Sequence, residues 1–173
     1  MAQTANNTHT TDPDTFGLNG NSGIPSEDNV VITVKAAAST HYYRRDLVTL
    51  STTTNTLAKC TGKASVFDGV VLDEVDNSDG AAGDLYVSVL VKGFIDLNGF
   101  VEATGETEDD TITFNDLVYL SADTVGVGAG QKVTSLDASS TLVGRAFDYT
   151  VSGTADKNIV LRTYIDCIAK SFT

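Results

Sequence analysis

The chain has 173 residues, 41% of them hydrophobic, enough for one domain with a proper core. Its 11 basic residues against 23 acidic ones leave a net charge of −12; this repels phosphate backbones, and with Arg44-Arg45 as the one adjacent basic pair no direct nucleic-acid binding is expected. Two prolines, one methionine and two cysteines, Cys60 and Cys167, exclude a Pro-rich linker, a Met-rich recognition groove and a disulfide scaffold.

Residues 1–28 are rich in Asn, Thr, Gly, Asp and Ser, hold both prolines, and carry no Lys or Arg. Such a segment cannot bury enough surface to offset its ordering entropy. The expectation is an extended N-terminal arm at 1–28, with Phe16, Leu18 and Ile24 as its apolar contact points, followed by a β body at 29–173. The start lacks a basic n-region and an apolar h-region, so no signal peptide is expected. No apolar run nears the roughly 20 residues of a membrane span, so synthesis in a cytoplasm and no membrane partner are expected.

The body opens with the strand-like Val30–Lys35, and Asp46–Ser51 forms a second strand. Ala64–Leu72 reads as a strand with a bulge or bend at Gly69. Asp73–Gly83 reads as a polar turn. Asp84–Leu97 carries the strongest period-two signal, with Leu85, Val87, Val89 and Val91 on one face. Acidic Glu102–Asp110 gives way to Thr111–Phe114, which favours extended chain. Asp116–Ser121 is a strand, Ala122–Gly130 a Gly-rich loop, Gln131–Thr134 a short strand and Leu136–Ser140 a turn. Leu142–Tyr149 and Asn158–Ile168 form the last strand pair around a polar loop at Thr150–Lys157, before a short tail at Ala169–Thr173. No segment holds a 3.6-residue period over three turns, so the fold class is mainly β, a small barrel or sandwich-like body.

Three phrases recur in the same order. Arg45–Ser51 returns as Asn115–Ser121, an offset of 70 residues, and Gly69–Asp73 returns as Gly144–Asp148, an offset of 75. Ile32–Ala36 matches Val89–Gly93, an offset of 57. The order predicts a duplicated meander whose units share one core.

Chemistry-bearing motifs are weak. Asp76–Gly80 with Asp84 imitates a calcium loop, but with Gly80 at the sixth position Val75 and Tyr86 stand where carboxylates are required. The acidic run Glu106–Asp110 suits a solvated loop better than a cation site. Gly126–Gly130 resembles half a dinucleotide fingerprint, but a strand-like segment follows it where a helix should receive phosphate. His9 and His41 lack a nucleophile-bearing turn nearby, so no catalytic residue, metal site or cofactor is expected. Tyr42, Tyr43, Arg44 and Arg45 combine residue types favoured at interface hot spots and are candidate interface contacts. The favoured reading of the same residues is a strand-leading loop with partly buried tyrosines.

The ordered phrases Val31–Val34, Val66–Val70, Gly83–Val89, Lys92-Gly93, Asp116–Ser121, Lys132–Thr134, Val143–Ala146 and Ile159–Leu161 have a counterpart in known proteins. Over about Asn29 to Ile165 the chain resembles the small head-decoration (cement) proteins of tailed phages and related archaeal viruses. The resemblance implies a β-barrel-like structural protein without catalysis. It would bind the major capsid protein on the outer surface of an icosahedral virion and stabilise the shell, often as homotrimers at local threefold positions. A virion or cell-surface adhesion module that binds glycans is the alternative.

Overall fold

The computed structural model describes residues 29–101, 111–122, 130–135, 139–147, 151–152 and 157–168. The arm with Phe16, Leu18 and Ile24, the acidic run 102–110 and the loop residues 123–129 lie outside the described residues, as do 136–138, 148–150, 153–156 and the tail.

Every regular element among the described residues is a strand, so the mainly-β expectation holds. In chain order they are β1 (Val30–Ala36), β2 (Thr40–Tyr42), β3 (Leu47–Leu50), β4 (Thr56–Lys59), β5 (Gly69–Val71), β6 (Val75–Asn77) and β7 (Tyr86–Val101). After them come β8 (Thr111–Ile112), β9 (Leu117–Leu120), β10 (Val133–Thr134), β11 (Leu142–Ala146), β12 (Val151–Ser152) and β13 (Lys157–Asp166). Three expectations change. The strand foreseen at Ala64–Leu72 shrinks to β5, and the polar turns Asp73–Gly83 and Thr150–Lys157 contain β6 and β12. The last two are two- or three-residue strands, too short to carry a period-two signal.

Nine strands form one mixed sheet in the order β1-β4-β3-β5-β7-β10-β9-β11-β13, with further pairings β1–β7 and β7–β13. The pairings therefore close two circuits, β1-β4-β3-β5-β7 and β7-β10-β9-β11-β13, which share the 16-residue β7. In both circuits one pairing is parallel, β1–β4 in the first and β7–β10 in the second, and the others are antiparallel. Two small ribbons, β2–β6 and β8–β12, complete the halves. Each strand of the first half thus has a partner in role six strands later.

The registers make the duplication residue by residue. Leu47 faces Val70 as Leu117 faces Arg145, and Val70 faces Leu90 as Arg145 faces Tyr164. Val31 opposite Leu90 then corresponds to Phe94 opposite Tyr164. Ala36 opposite Leu57 corresponds to Gly99 opposite Val133, and Leu50 opposite Leu57 to Leu120 opposite Val133. Offsets of 70 and 75 residues are those of the first two sequence phrases. The third is corrected: Ile32–Ala36 corresponds to Ile95–Gly99, an offset of 63, and not to Val89–Gly93. Both stretches belong to β7. Period-two apolar patterns match themselves after any even slip, and only the pairing partners select the register.

The turn before β3 repeats before β9 in the same detail. The Asp46 carboxylate accepts from Tyr43 N–H at 2.8 Å, and Asp116 accepts from Thr113 N–H at 2.6 Å. Arg45 N–H donates to Val71 O at 2.8 Å, and Asn115 N–H donates to Ala146 O at 2.7 Å. Arg45 and Asn115 both take left-handed backbone, at φ 74° and 71°.

Glycine is required at two kinds of position. Gly69 and Gly144 occupy equivalent places, and a Cβ on either would strike the backbone carbonyl of Leu90 or Tyr164, themselves equivalent. The expected irregularity at Gly69 is thus a close strand approach. Gly93 marks where β7 leaves one circuit for the other. It has φ 133°, and the Asn29 side chain fills the space a Cβ would need.

One buried cluster spans both halves, including Val48, Leu57, Val87 and Leu90 with Leu97, Val118, Val133 and Leu161. Fully burying each such side chain contributes about 1.5–3 kcal/mol. The halves are joined by more than β7. Buried Gln131 reaches back to accept from Leu47 N–H at 2.8 Å and to donate to Leu47 O at 2.8 Å and Cys60 O at 2.7 Å. Thr141 N–H donates to Lys63 O at 2.8 Å.

Candidate functional site

The aromatic and basic cluster foreseen at 42–45 divides. Tyr42 is fully buried, because β2 turns its ring into the core and the backbone takes its hydroxyl. The hydroxyl accepts from Ala37 N–H at 2.9 Å and donates to Leu57 O at 2.6 Å. Burial pushes its pKa up. Tyr42 is therefore corrected from a surface contact to a core residue. Arg45 is half-buried, and its backbone serves the tight turn.

Tyr43 and Arg44 are exposed, Tyr43 by 53%. Tyr43 stacks on His41 with ring centroids 4.2 Å apart, and Lys59 Nζ sits 4.8 Å from its centroid. Lys59 pairs with Asp46 at 2.6 Å. His41 Nε2 lies 2.8 Å from Glu74 and Nδ1 3.7 Å from Asp76, the residue opposite it in the β2–β6 ribbon. Arg44 donates to Leu72 O at 2.9 Å and stands 4.0 Å from Asp73. A ring stack edged by charged side chains results. Sequence spacing places His41 beside Tyr43, but Lys59 and Glu74 arrive only through strand pairing.

The false calcium loop has a structural use. Asp76 accepts from Ser78 N–H and hydroxyl, which hold its carboxyl below the usual range with a smaller pull from His41. The Asn77 amide donates to Ala37 O at 2.7 Å and Ala81 O at 3.0 Å, and Asp84 accepts from Ala81 N–H at 2.7 Å. These side chains close the loop on itself.

A second surface escaped sequence reasoning. Phe114 is 63% exposed and meets Phe147 edge-on at 5.4 Å. Phe147 meets Phe94 at 5.0 Å, and Phe94 meets Tyr164 at 4.8 Å. Beside Tyr164, the residues Leu117, Leu142, Val143, Arg145 and Asp166 line an open, mainly apolar depression of about 260 Å³. Four separate segments build this surface, so no local motif announces it.

The two cysteines are buried thiols. Burial, with lesser contributions from Asp68 and Cys167, pushes the Cys60 thiol up to about 12.

Comparisons with protein-family models, curated proteins and solved structures return no match.

Proposed function

We propose that the chain is a structural, non-catalytic virion protein that binds the outer surface of an icosahedral capsid and stabilises the shell. Its partners are the major capsid protein and further copies of itself, as homotrimers at local threefold positions. The ordered phrases from Asn29 to Ile165 carry this reading, and the duplicated all-strand body supports it. The two closed circuits of paired strands leave few edges open to unwanted pairing among the described residues, which suits a protein held at high local concentration. A net charge of −12 keeps such a protein soluble. Stabilisation follows from mass action: a protein that binds only the assembled shell shifts the equilibrium toward it.

Co-sedimentation with undecorated expanded capsids tests the reading. Saturable binding at a simple ratio to the major capsid protein is expected, and no binding by the folded protein would refute it. If the arm crosses a capsid subunit, deleting residues 1–28 weakens binding and leaves the body folded. One observation favours adhesion as a second reading. The exposed Phe114 beside Phe147 offers ring faces on which a sugar could stack, and a glycan screen on the isolated protein tests it.

A further inference from the structure

The duplication leaves a question at each end of the molecule. In the first half Leu47, Phe67 and Leu90 are sealed, each no more than 2% exposed. The second half provides at least part of the seal, through the Gln131 clamp on Leu47 and Cys60, the packing of Gly130 on the Cys60–Gly62 backbone, and the Thr141 bond to Lys63. The equivalent residues of the second half are Leu117, Leu142 and Tyr164. They are not sealed: Leu117 is 36% exposed, and all three line the open depression. Conversely, the first-half equivalents of Gly130 and Thr141 are Asn55 and Val66. Asn55 N–H donates to Ser51 O as Gly130 N–H does to Ser121 O, and Asn55 and Gly130 both take left-handed backbone, while Gln131 is an extra residue with no first-half counterpart. Asn55 and Val66 are exposed, Val66 by 64%. One molecule thus carries a receiving surface on its second half and a donating surface on its first. Between its own halves it shows how the two kinds of surface meet.

We propose that a second copy of this chain occupies the receiving surface. Its Asn55 and Val66 edge seats on Leu117, Leu142 and Tyr164, repeating between molecules the joint that Gly130 and Thr141 make within one. Such a contact is heterologous, head to tail, and closes into a cyclic ring if the rotation per copy allows. Repeat proteins that end in solution replace apolar interface positions by polar ones. Here Val70 is replaced by Arg145, but Leu47 remains leucine at 117, and Leu90 becomes tyrosine at 164. Leu, Tyr and Arg around one depression suit a contact centre better than a solvated cap, Tyr and Arg being hot-spot residues. Self-association belongs to the functional reading above, and this surface gives it a place and a direction. The test uses no capsids, so shell binding can succeed where this contact fails.

Sedimentation velocity over a concentration series of the full chain should show reversible association. Val66→Asp and Leu117→Asp should each weaken it at least tenfold, with circular dichroism checking the fold. Tyr164→Arg is the second variant on the receiving side should Leu117→Asp unfold. Mixing the donor-side variant with the receiver-side one should restore dimers, and nothing larger, because each mixed pair retains one intact junction. A wild-type chain that stays monomeric throughout, variants that associate as wild type does, or a mixture that stays monomeric would each overturn the proposal.

Discussion

Replacing Gln131 by methionine removes the clamp between the halves while nearly conserving side-chain volume. Three hydrogen bonds disappear, two to Leu47 and one to Cys60. The Leu47 carbonyl keeps its bond from Cys60 N–H at 2.8 Å. Leu47 N–H loses the Gln131 oxygen as acceptor, and Cys60 O loses the amide donor. Leaving a buried donor unsatisfied costs about 1–3 kcal/mol, and each further lost bond about 1 kcal/mol. The expected loss is therefore about 3–5 kcal/mol, a large share of the roughly 5–15 kcal/mol that stabilises a typical domain. Urea denaturation measures it. At a slope of about 2 kcal/mol per molar the midpoint should fall by about 1.5–2.5 M. A loss below about 1 kcal/mol with an unchanged slope would refute the clamp as a determinant of stability. A changed slope would mean that the halves no longer unfold together.

Three other outcomes follow from single residues. Tyr42→Phe should cost about 1–3 kcal/mol in the same assay, because the Ala37 N–H loses its acceptor inside the body. Arg45→Asn should stabilise by a few tenths to about 1 kcal/mol: asparagine tolerates left-handed backbone better and already stands at the equivalent position 115, so an unchanged or lower midpoint would contradict the strain account. Cys60 should resist a soluble thiol reagent at pH 8 in the native protein and react on unfolding. The folded thiol titrates near 12, above its ordinary value of 9.0. Its contribution to stability is therefore fully present below pH 9 and lost as pH rises through 12, by about 1.4 kcal/mol per unit in between. Stability that stays flat from pH 9 to 11 would contradict this, Tyr42 being shifted in the same direction.

Local pattern carried much of the fold. The alternation around Val87, Val89 and Val91 and the β-branched run Val30–Val34 mark long strands, although β7 buries Leu90 on its other face as well as Val89 and Val91. The recurrence of Asp-Leu-Val at 46–48 and 116–118 marks a shared turn, because one carboxylate caps its own backbone three residues back in each copy. Those features rest on neighbours in sequence, and composition suffices to read them. Ribbon strands β2, β6 and β12 were beyond it, because two or three residues hold no period and their pairing is long-range. The alignment of β1 with the second half of β7 was also beyond it, since six residues' slip preserves the apolar alternation and only hydrogen-bonded partners distinguish the registers. Tyr42 and Tyr43 show the same division at a candidate site: adjacent in sequence, they point to opposite sides of β2 and its exit, one into the core and one to solvent. Sequence by itself determined the strand class, the duplication and the charge. Tertiary structure alone decided that Leu47 is sealed and Leu117 is open, because burial depends on what the rest of the chain places over a residue, and the second half has no third half to cover it.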